Sequence, residues 1–532
     1  MTLYADNPVL PGCHPDPSVC RVGQDYYLAN SSFEFFPGIP LHHSRDLVHW
    51  RPIGHAVDRP GQLALGGVRA SGGLYAPTLR HAGGRFHLVC TLVDGLGASG
   101  NFLISADDPA GAWSDPVWLP EAPGFDPSLF FDDDGSAYLL GTRQLDAAGH
   151  TEIWLRSLDL ATGGLTGPDH VLFRGALRDA RWAEGPHLYR YGGAYYLVLA
   201  EGGTEYEHAV TVARSRHVTG PYLNHAANPV LTHRHLGLAY PVSGVGHADL
   251  VETPGGDWYA VLLGSRMYGG RYANLGRETF VARVVWEDGW PVVNPGVGRV
   301  EERAEVGLTP YPWPSQDPVD RFEGDTLGPH WNTLRGPLGE AAVLTGRPGR
   351  SGRLRLRLLP RTLAEPATPA FVCRRQQHID FAAETALDFE PAAPGDAAGL
   401  AVLQNPENHL TALVTLDGQG RKVARLTERR CGAQTVLAEL PLQEGPVRIG
   451  VQARGQEYTL SCVQPPHGRR ELGTVEGRFL SSQAAGGFTG VVLGPYATGS
   501  APVPESRPRQ PADQQQPHRY AEFDWFRYEP AG

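Results

Sequence analysis

The sequence predicts an all-β chain, a five-bladed β-propeller followed by a β-sandwich, and three observations carry that prediction. The first is a weak internal repeat of roughly 50–60 residues between residue 16 and residue 295, the length of a four-stranded propeller blade. The second is composition. Gly 66 and Pro 46 in 532 residues make the chain rich in turns, and Trp 11, Tyr 20 and Phe 18 favour strands over helices. The third is the alternation of apolar and polar residues late in the chain, as in Arg353-Leu354-Arg355-Leu356-Arg357-Leu358. At this length one core is too few, so at least two domains are expected.

The repeats open at Asp16-Pro17-Ser18-Val19, Ala76-Pro77-Thr78-Leu79, Asp126-Pro127-Ser128-Leu129, Glu184-Gly185-Pro186-His187-Leu188 and His247-Ala248-Asp249-Leu250. The stretch His14-Pro15-Asp16-Pro17-Ser18 reads as the start of the first strand. Each opening leads into a turn and an aromatic strand: Gly23 to Leu28, Gly83 to Val89, Gly135 to Leu140, Gly192 to Val198 and Gly255 to Leu262. Four units then reach a third strand and a closing hairpin around Ser44 to Trp50, Ser105 to Trp113, Ser157 to Gly167 and Ala213 to Tyr222, and the fifth ends in Val281 to Val293. Five openings predict five blades, in a propeller domain over 1–307. A Pro-rich linker follows over 308–318, containing Leu308-Thr309-Pro310-Tyr311-Pro312-Trp313-Pro314, and the sandwich occupies 319–532. Within the sandwich, Val447 to Val451 and Ala521 to Tyr528 also carry the period of two. Pro502 to Pro517, rich in Pro, Gln and charge, reads as a mobile surface loop.

A net charge of −11 with scattered Lys and Arg offers no stripe for a phosphate backbone, and no apolar run is long enough to span a bilayer. Nucleic acid and membrane partners are therefore not expected. The six cysteines show no CxxC spacing, which argues against a disulfide scaffold or a zinc site and for buried free thiols. No signal-peptide pattern is visible at the N-terminus, so a cytoplasmic protein is expected.

The first strand of each propeller blade lines the central channel, so Asp16, Asp126, Glu184 and His247 are expected around one cavity. Taken singly, Asp-Pro and Glu-Gly-Pro are ordinary turn chemistry before a strand. Three carboxylates at matching places in different blades are harder to explain that way, because packed like charges are costly. Such a trio suits inverting hydrolysis of a glycosidic bond: one carboxylate activates water, one carboxylic acid protonates the leaving oxygen, and a third keeps that acid protonated. Phe33, Phe35, Phe36, Tyr75 and Trp182 could stack on sugar rings or belong to the propeller core; Phe33 is favoured as a sugar contact because Ser31-Ser32-Phe33-Glu34 interrupts the strand pattern at the channel mouth.

His14-Pro15-Asp16-Pro17-Ser18, Ser31-Ser32-Phe33-Glu34, Phe36-Pro37-Gly38, Ser71 to Pro77, Asp126-Pro127-Ser128, Ala183-Glu184-Gly185-Pro186-His187 and Arg277-Glu278-Thr279-Phe280 together resemble glycoside hydrolase family 43. The likeness is greatest to its two-domain β-xylosidases, some of which also cleave α-L-arabinofuranosides, and it runs over nearly the whole chain. It implies a concanavalin-like jelly roll for the sandwich, Asp16 as general base, Glu184 as general acid and Asp126 as the residue that orients the acid and tunes its pKa. Arg277 matches an arginine beside the carboxylates. His247 resembles a channel histidine that helps hold a hydrated calcium in some members, so a channel calcium is a candidate cofactor, although the residues themselves offer no hard-cation cage and none is required. Phe488, in Gly486-Gly487-Phe488-Thr489-Gly490, matches the sandwich loop that closes one side of the pocket, implying exo action. Departures from the family pattern are Cys13, where a larger residue is common, and the segment from Pro502 to Pro517.

The expected function is thus an inverting exo-glycosidase releasing D-xylose from the non-reducing ends of β-1,4-xylo-oligosaccharides, with α-L-arabinofuranosidase activity as a second capacity. By analogy a homo-oligomer, dimer or tetramer, is expected. A retaining fructan or sucrose hydrolase shares the two-domain plan, but its Asn-Asp-Pro-Asn-Gly, Arg-Asp-Pro and Glu-Cys patterns are missing. The remaining alternative is a non-catalytic propeller that binds glycans.

Overall fold

A computed structural model describes residues 3–95, 98–179, 181–346, 352–500 and 519–531. The segment Pro502 to Pro517 lies outside the described residues. The chain divides into two compact units, Met1–Pro314 and Ser315–Gly532.

The first unit is a propeller of five antiparallel sheets. Their innermost strands are Ser18–Val22, Thr78–Ala82, Phe125–Phe131, Glu184–Tyr191 and Val242–Glu252, and each touches the next around a ring, the last returning to the first. Five apolar clusters fill the five gaps between blades. Phe102 and Trp113 lie in the first gap, Trp154 in the second, Leu197 in the third, Phe280 in the fourth and Tyr259 in the fifth. Each buried side chain of this size contributes about 1.5–3 kcal/mol, so the ring is held by its gaps rather than by any one sheet.

The chain begins earlier than the repeat suggests. Leu3–Asp6 forms a strand paired with Arg303–Val306, and Leu10 bridges Thr279 beside blade five. The stretch from His14 to Ser18 therefore precedes the second strand and ties the ends of the ring together. The His14 N–H donates to the Arg277 carbonyl at 3.0 Å and the Gly12 N–H to Glu278 Oε1 at 2.8 Å. Glu278 is in turn clamped by Arg266 through two bonds of 2.7 Å.

The Pro-rich stretch 308–314 is fastened along blade one. The Tyr311 N–H donates to Asp46 at 2.6 Å, the Trp313 indole donates to the His49 carbonyl at 3.0 Å, and the Arg51 guanidinium lies 4.0 Å from the Trp313 ring centre.

The second unit is a β-sandwich of two antiparallel sheets, eight- and seven-stranded among the described residues. The alternation read from the sequence is the burial pattern: Leu354 and Leu356 are buried between partly exposed arginines, as are Val447, Ile449 and Val451 between their neighbours. In the last strand the alternation breaks. Ala521 and Phe523 face the core, then Phe526 and Tyr528, because a bulge opposite Ala386 and Leu387 inserts Asp524 and shifts the phase by one. Five of the six cysteines are buried, Cys431 is exposed, and none of the six forms a disulfide.

Candidate active site

Three of the openings are places where the innermost strand loses register. Bulges interrupt pairing between Phe125 and Ser128, between Glu184 and His187, and on both sides of Gly246 in blade five. A bulge turns a side chain out of the alternating sequence, and a proline inside it forfeits no ladder bond. Asp16, Phe33, Asp126, Trp182 and His247 sit at φ values of 52°, 50°, 50°, 52° and 48°. This left-handed region is uncommon for residues with a side chain and costs about 1–3 kcal/mol each. Its concentration in residues singled out from sequence marks one strained constellation.

Asp16 is buried and fully engaged. One oxygen receives Arg277 Nη1 at 2.8 Å, and the other receives the Ser31 hydroxyl at 2.5 Å. His247 Nδ1 stands 3.7 Å away. Burial alone would raise its pKa, but Arg277, His247, the Ser31 bond and His208 outweigh it, and the carboxyl sits below its ordinary value. Arg277 also donates to Thr204 Oγ1 at 2.9 Å and lies 5.7 Å from the centre of the Phe33 ring. Its side chain is 11% exposed.

The other two carboxyls behave in the opposite sense. Burial, with the charge of Asp16, lifts Asp126 to about 6 against the pull of His247. Burial and the charges of Asp126 and Asp16 raise Glu184 well above the usual range. Asp126 accepts the Gly185 N–H at 3.2 Å, so it holds the peptide that follows Glu184. Gly185 itself, at φ 56°, has no room for a side chain: a Cβ there would lie 2.8 Å from the His247 ring.

The aromatic candidates separate. Phe33 and Tyr75 meet edge to face at 5.7 Å, beside Arg277. The Trp182 ring packs over Gly149, where a Cβ would approach it to 2.7 Å. Phe36 belongs to the core between blades one and two, and Phe35 is buried. Phe488 belongs to the second unit, 37% exposed just after the short helix Ser482–Ala485.

His247 has His187 as a ring neighbour, 6.5 Å between centres, and Asp16, already bonded twice, at its Nδ1. No group of three or more His, Cys, Asp or Glu among the described residues could hold a metal ion. Calcium takes six to eight oxygen ligands, and with the Asp16 oxygens already held by Arg277 and Ser31 this neighbourhood does not fit a protein-caged ion.

Beneath the carboxyls runs a buried polar ring that the sequence reading did not assign. Asp249 accepts from Ser18 Oγ at 2.8 Å, Arg80 at 2.8 and 3.1 Å, and Tyr189 at 2.5 Å. His187 Nδ1 lies 3.0 Å from both Arg80 and Ser128 Oγ, and Thr78 Oγ1 donates to the Pro127 carbonyl at 2.9 Å. All five blades contribute. Burial pushes His187 down to about 3, while Arg80 leads the groups that hold Asp249 at about 2 in spite of burial. Ser31, Thr204 and His208 are further site residues missed from sequence.

Residues 5–291 match the glycosyl hydrolases family 43, and residues 319–529 match the beta xylosidase C-terminal concanavalin A-like domain. A xylosidase/arabinosidase of Butyrivibrio fibrisolvens is 41% identical over 510 residues, covering 93% of this chain and 96% of that protein. The non-reducing end α-L-arabinofuranosidase of Bacteroides ovatus is 38% identical over 532 residues, covering 98% and 94%. Among solved structures, the xylan β-1,4-xylosidase of Bacillus halodurans aligns with a TM-score of 0.90 at 35% identity, over 99% of this chain and 100% of that one.

Proposed function

The chain belongs to glycosyl hydrolase family 43, and from that premise we propose that it is an inverting exo-glycosidase releasing D-xylose from the non-reducing ends of β-1,4-xylo-oligosaccharides, with α-L-arabinofuranosides as a second substrate class. The observation that carries the reading is the opposed protonation of interacting carboxyls at one site: Asp16 is driven to the charged form and Glu184 to the neutral form. That is what single-displacement hydrolysis requires.

In the proposed reaction Asp16 takes a proton from a water molecule as that water attacks the anomeric carbon. Glu184 gives its proton to the glycosidic oxygen as the bond from carbon to oxygen breaks, and the leaving sugar departs as an alcohol. Arg277 keeps Asp16 ionised and directed, while Asp126 holds the backbone after Glu184 and supplies the negative charge that keeps the acid protonated. Phe33 and Tyr75 form an aromatic wall on which a sugar face can stack, and Trp182 offers a second such surface. We assign His247 a role in supporting Asp16 and expect hydrolysis to need no metal. Proton NMR of the first-formed sugar tests the mechanism: a β-xyloside should release α-xylose first, and initial β-xylose would indicate the retaining chemistry of the fructan hydrolases.

A further inference from the structure

The aromatic wall continues outward into an ionic arrangement that the reaction above does not use. Tyr75, whose ring meets Phe33 at 5.7 Å, interacts electrostatically with Arg69. The Arg69 Nε bonds to Asp94, and the two side chains are 63% and 43% exposed. The turn between them is tightly built. The Gly72 N–H donates to the Arg69 carbonyl at 3.0 Å, and a Cβ on Gly72 would lie 3.1 Å from the Asp94 carboxylate. Asp94 itself takes a φ of 59°. A continuous line of contacts therefore runs Asp16, Arg277, Phe33, Tyr75, Arg69, Asp94, beginning buried and ending in solvent.

We propose that Arg69, held by Asp94 beside Tyr75 at the solvent end of this wall, recognises the leaving-group sugar of an oligosaccharide through its hydroxyls. The argument rests on the proposed exo-hydrolysis. The sugar being cleaved must lie against Asp16 and Phe33, which are 6% and 3% exposed. A cation that is 63% exposed reaches only what extends beyond that sugar. A guanidinium offers five N–H donors in a fixed fork, and Asp94 fixes the fork through Nε. Neutral sugar hydroxyls are suitable acceptors for such a group, and a nitrophenyl leaving group presents none in the same place.

The experiment compares Arg69→Ala and Arg69→Lys with the unaltered protein on xylobiose, xylotriose and 4-nitrophenyl β-D-xyloside. Arg69→Ala should lower kcat/KM about tenfold on the two oligosaccharides, chiefly through KM, and change it less than about twofold on the nitrophenyl substrate. Arg69→Lys should recover part of the loss. Equal losses on all three substrates would mean a structural role and overturn the proposal, as would no loss on any. If the unaltered protein cleaves these substrates, only the Arg69 assignment is at stake; if it cleaves none of them, nor an arabinofuranoside, the functional reading beneath it fails as well.

Discussion

Ser128 Oγ and His187 Nδ1 lie 3.0 Å apart, so the segments carrying Asp126 and Glu184 are bonded to each other two and three residues beyond their carboxyls. Arg80 also reaches His187 Nδ1, at 3.0 Å, and an arginine can only donate. The imidazole therefore accepts at Nδ1 and carries its proton on Nε2. This fixes its role as a rigid strut between blades three and four rather than an acid or base. Ser128→Ala should cost about 1 kcal/mol of propeller stability and lower kcat on xylobiose several-fold while leaving product inhibition by xylose nearly unchanged. Thermal denaturation and steady-state kinetics read the two effects; a normal kcat would dismiss the strut.

The strut was legible in the sequence. Aligning the five openings places Ser18, Thr78, Ser128, His187 and Asp249 at one position, and all five are buried polar residues that join the ring beneath the carboxyls. The repeat that marks the blades also carries this second layer. Thr204 and His208 were not legible, because nothing local marks them: they meet Arg277 and Asp16 only where blade four closes against blades five and one, whereas Ser31 lies in the Ser31-Ser32-Phe33-Glu34 break that the sequence does mark. The strained backbone at Asp126 and His247 was equally hidden, since the bulges that accompany it are set by pairing with the neighbouring strand. Phase in the last strand of the sandwich failed for the same reason at Asp524.

Removing the two principal carboxyls should have different signatures. Glu184→Gln cannot protonate the leaving oxygen, so hydrolysis of xylobiose should fall by about 10³-fold or more, and that of a dinitrophenyl xyloside, whose leaving group needs little protonation, by far less. Asp16→Asn abolishes activation of water and should depress both substrates alike. Rates on the two substrates for each variant decide the roles; a reversed pattern would exchange acid and base.

The pH profile of kcat/KM should be a bell set by these groups. Activity falls on the acid side as Asp16 takes up a proton, below the ordinary carboxylate range because burial is overcome chiefly by Arg277. It falls on the alkaline side as Glu184 loses its proton, well above the ordinary range through burial and the charge of Asp126. The limbs belong to the interacting cluster, which includes Asp126 at about 6. Arg277→Met deletes the main counter-charge, so the acid limb should move to higher pH. An unmoved acid limb in that variant would remove Arg277 from the role.

Chelation should leave the rate unchanged. His247 faces the His187 imidazole and the Asp16 carboxylate, whose oxygens are taken up by Arg277 and Ser31, so the oxygen cage calcium prefers is not formed among the described residues. Dialysis against EDTA followed by assay on xylobiose, with and without added calcium, is the measurement. A loss restored by calcium would give the channel a metal after all.

The raised pKa of Glu184 has a consequence for stability as well as for catalysis. In the unfolded chain a glutamate ionises near pH 4.5, whereas in the fold burial and the charge of Asp126 keep its proton to much higher pH. Between those two values the folded state binds more protons than the unfolded one, so this group makes stability fall as pH rises through the window. Below pH 4.5 both states are protonated and the effect vanishes. Glutamine has the shape of the neutral acid and does not titrate. Glu184→Gln should therefore melt at a higher temperature than the unaltered protein at pH 7, by about 2 °C or more, and the gap should close towards pH 4.5. Calorimetry of both proteins across that range tests the sign, and a variant less stable at pH 7 would mean that Glu184 is ionised in the fold.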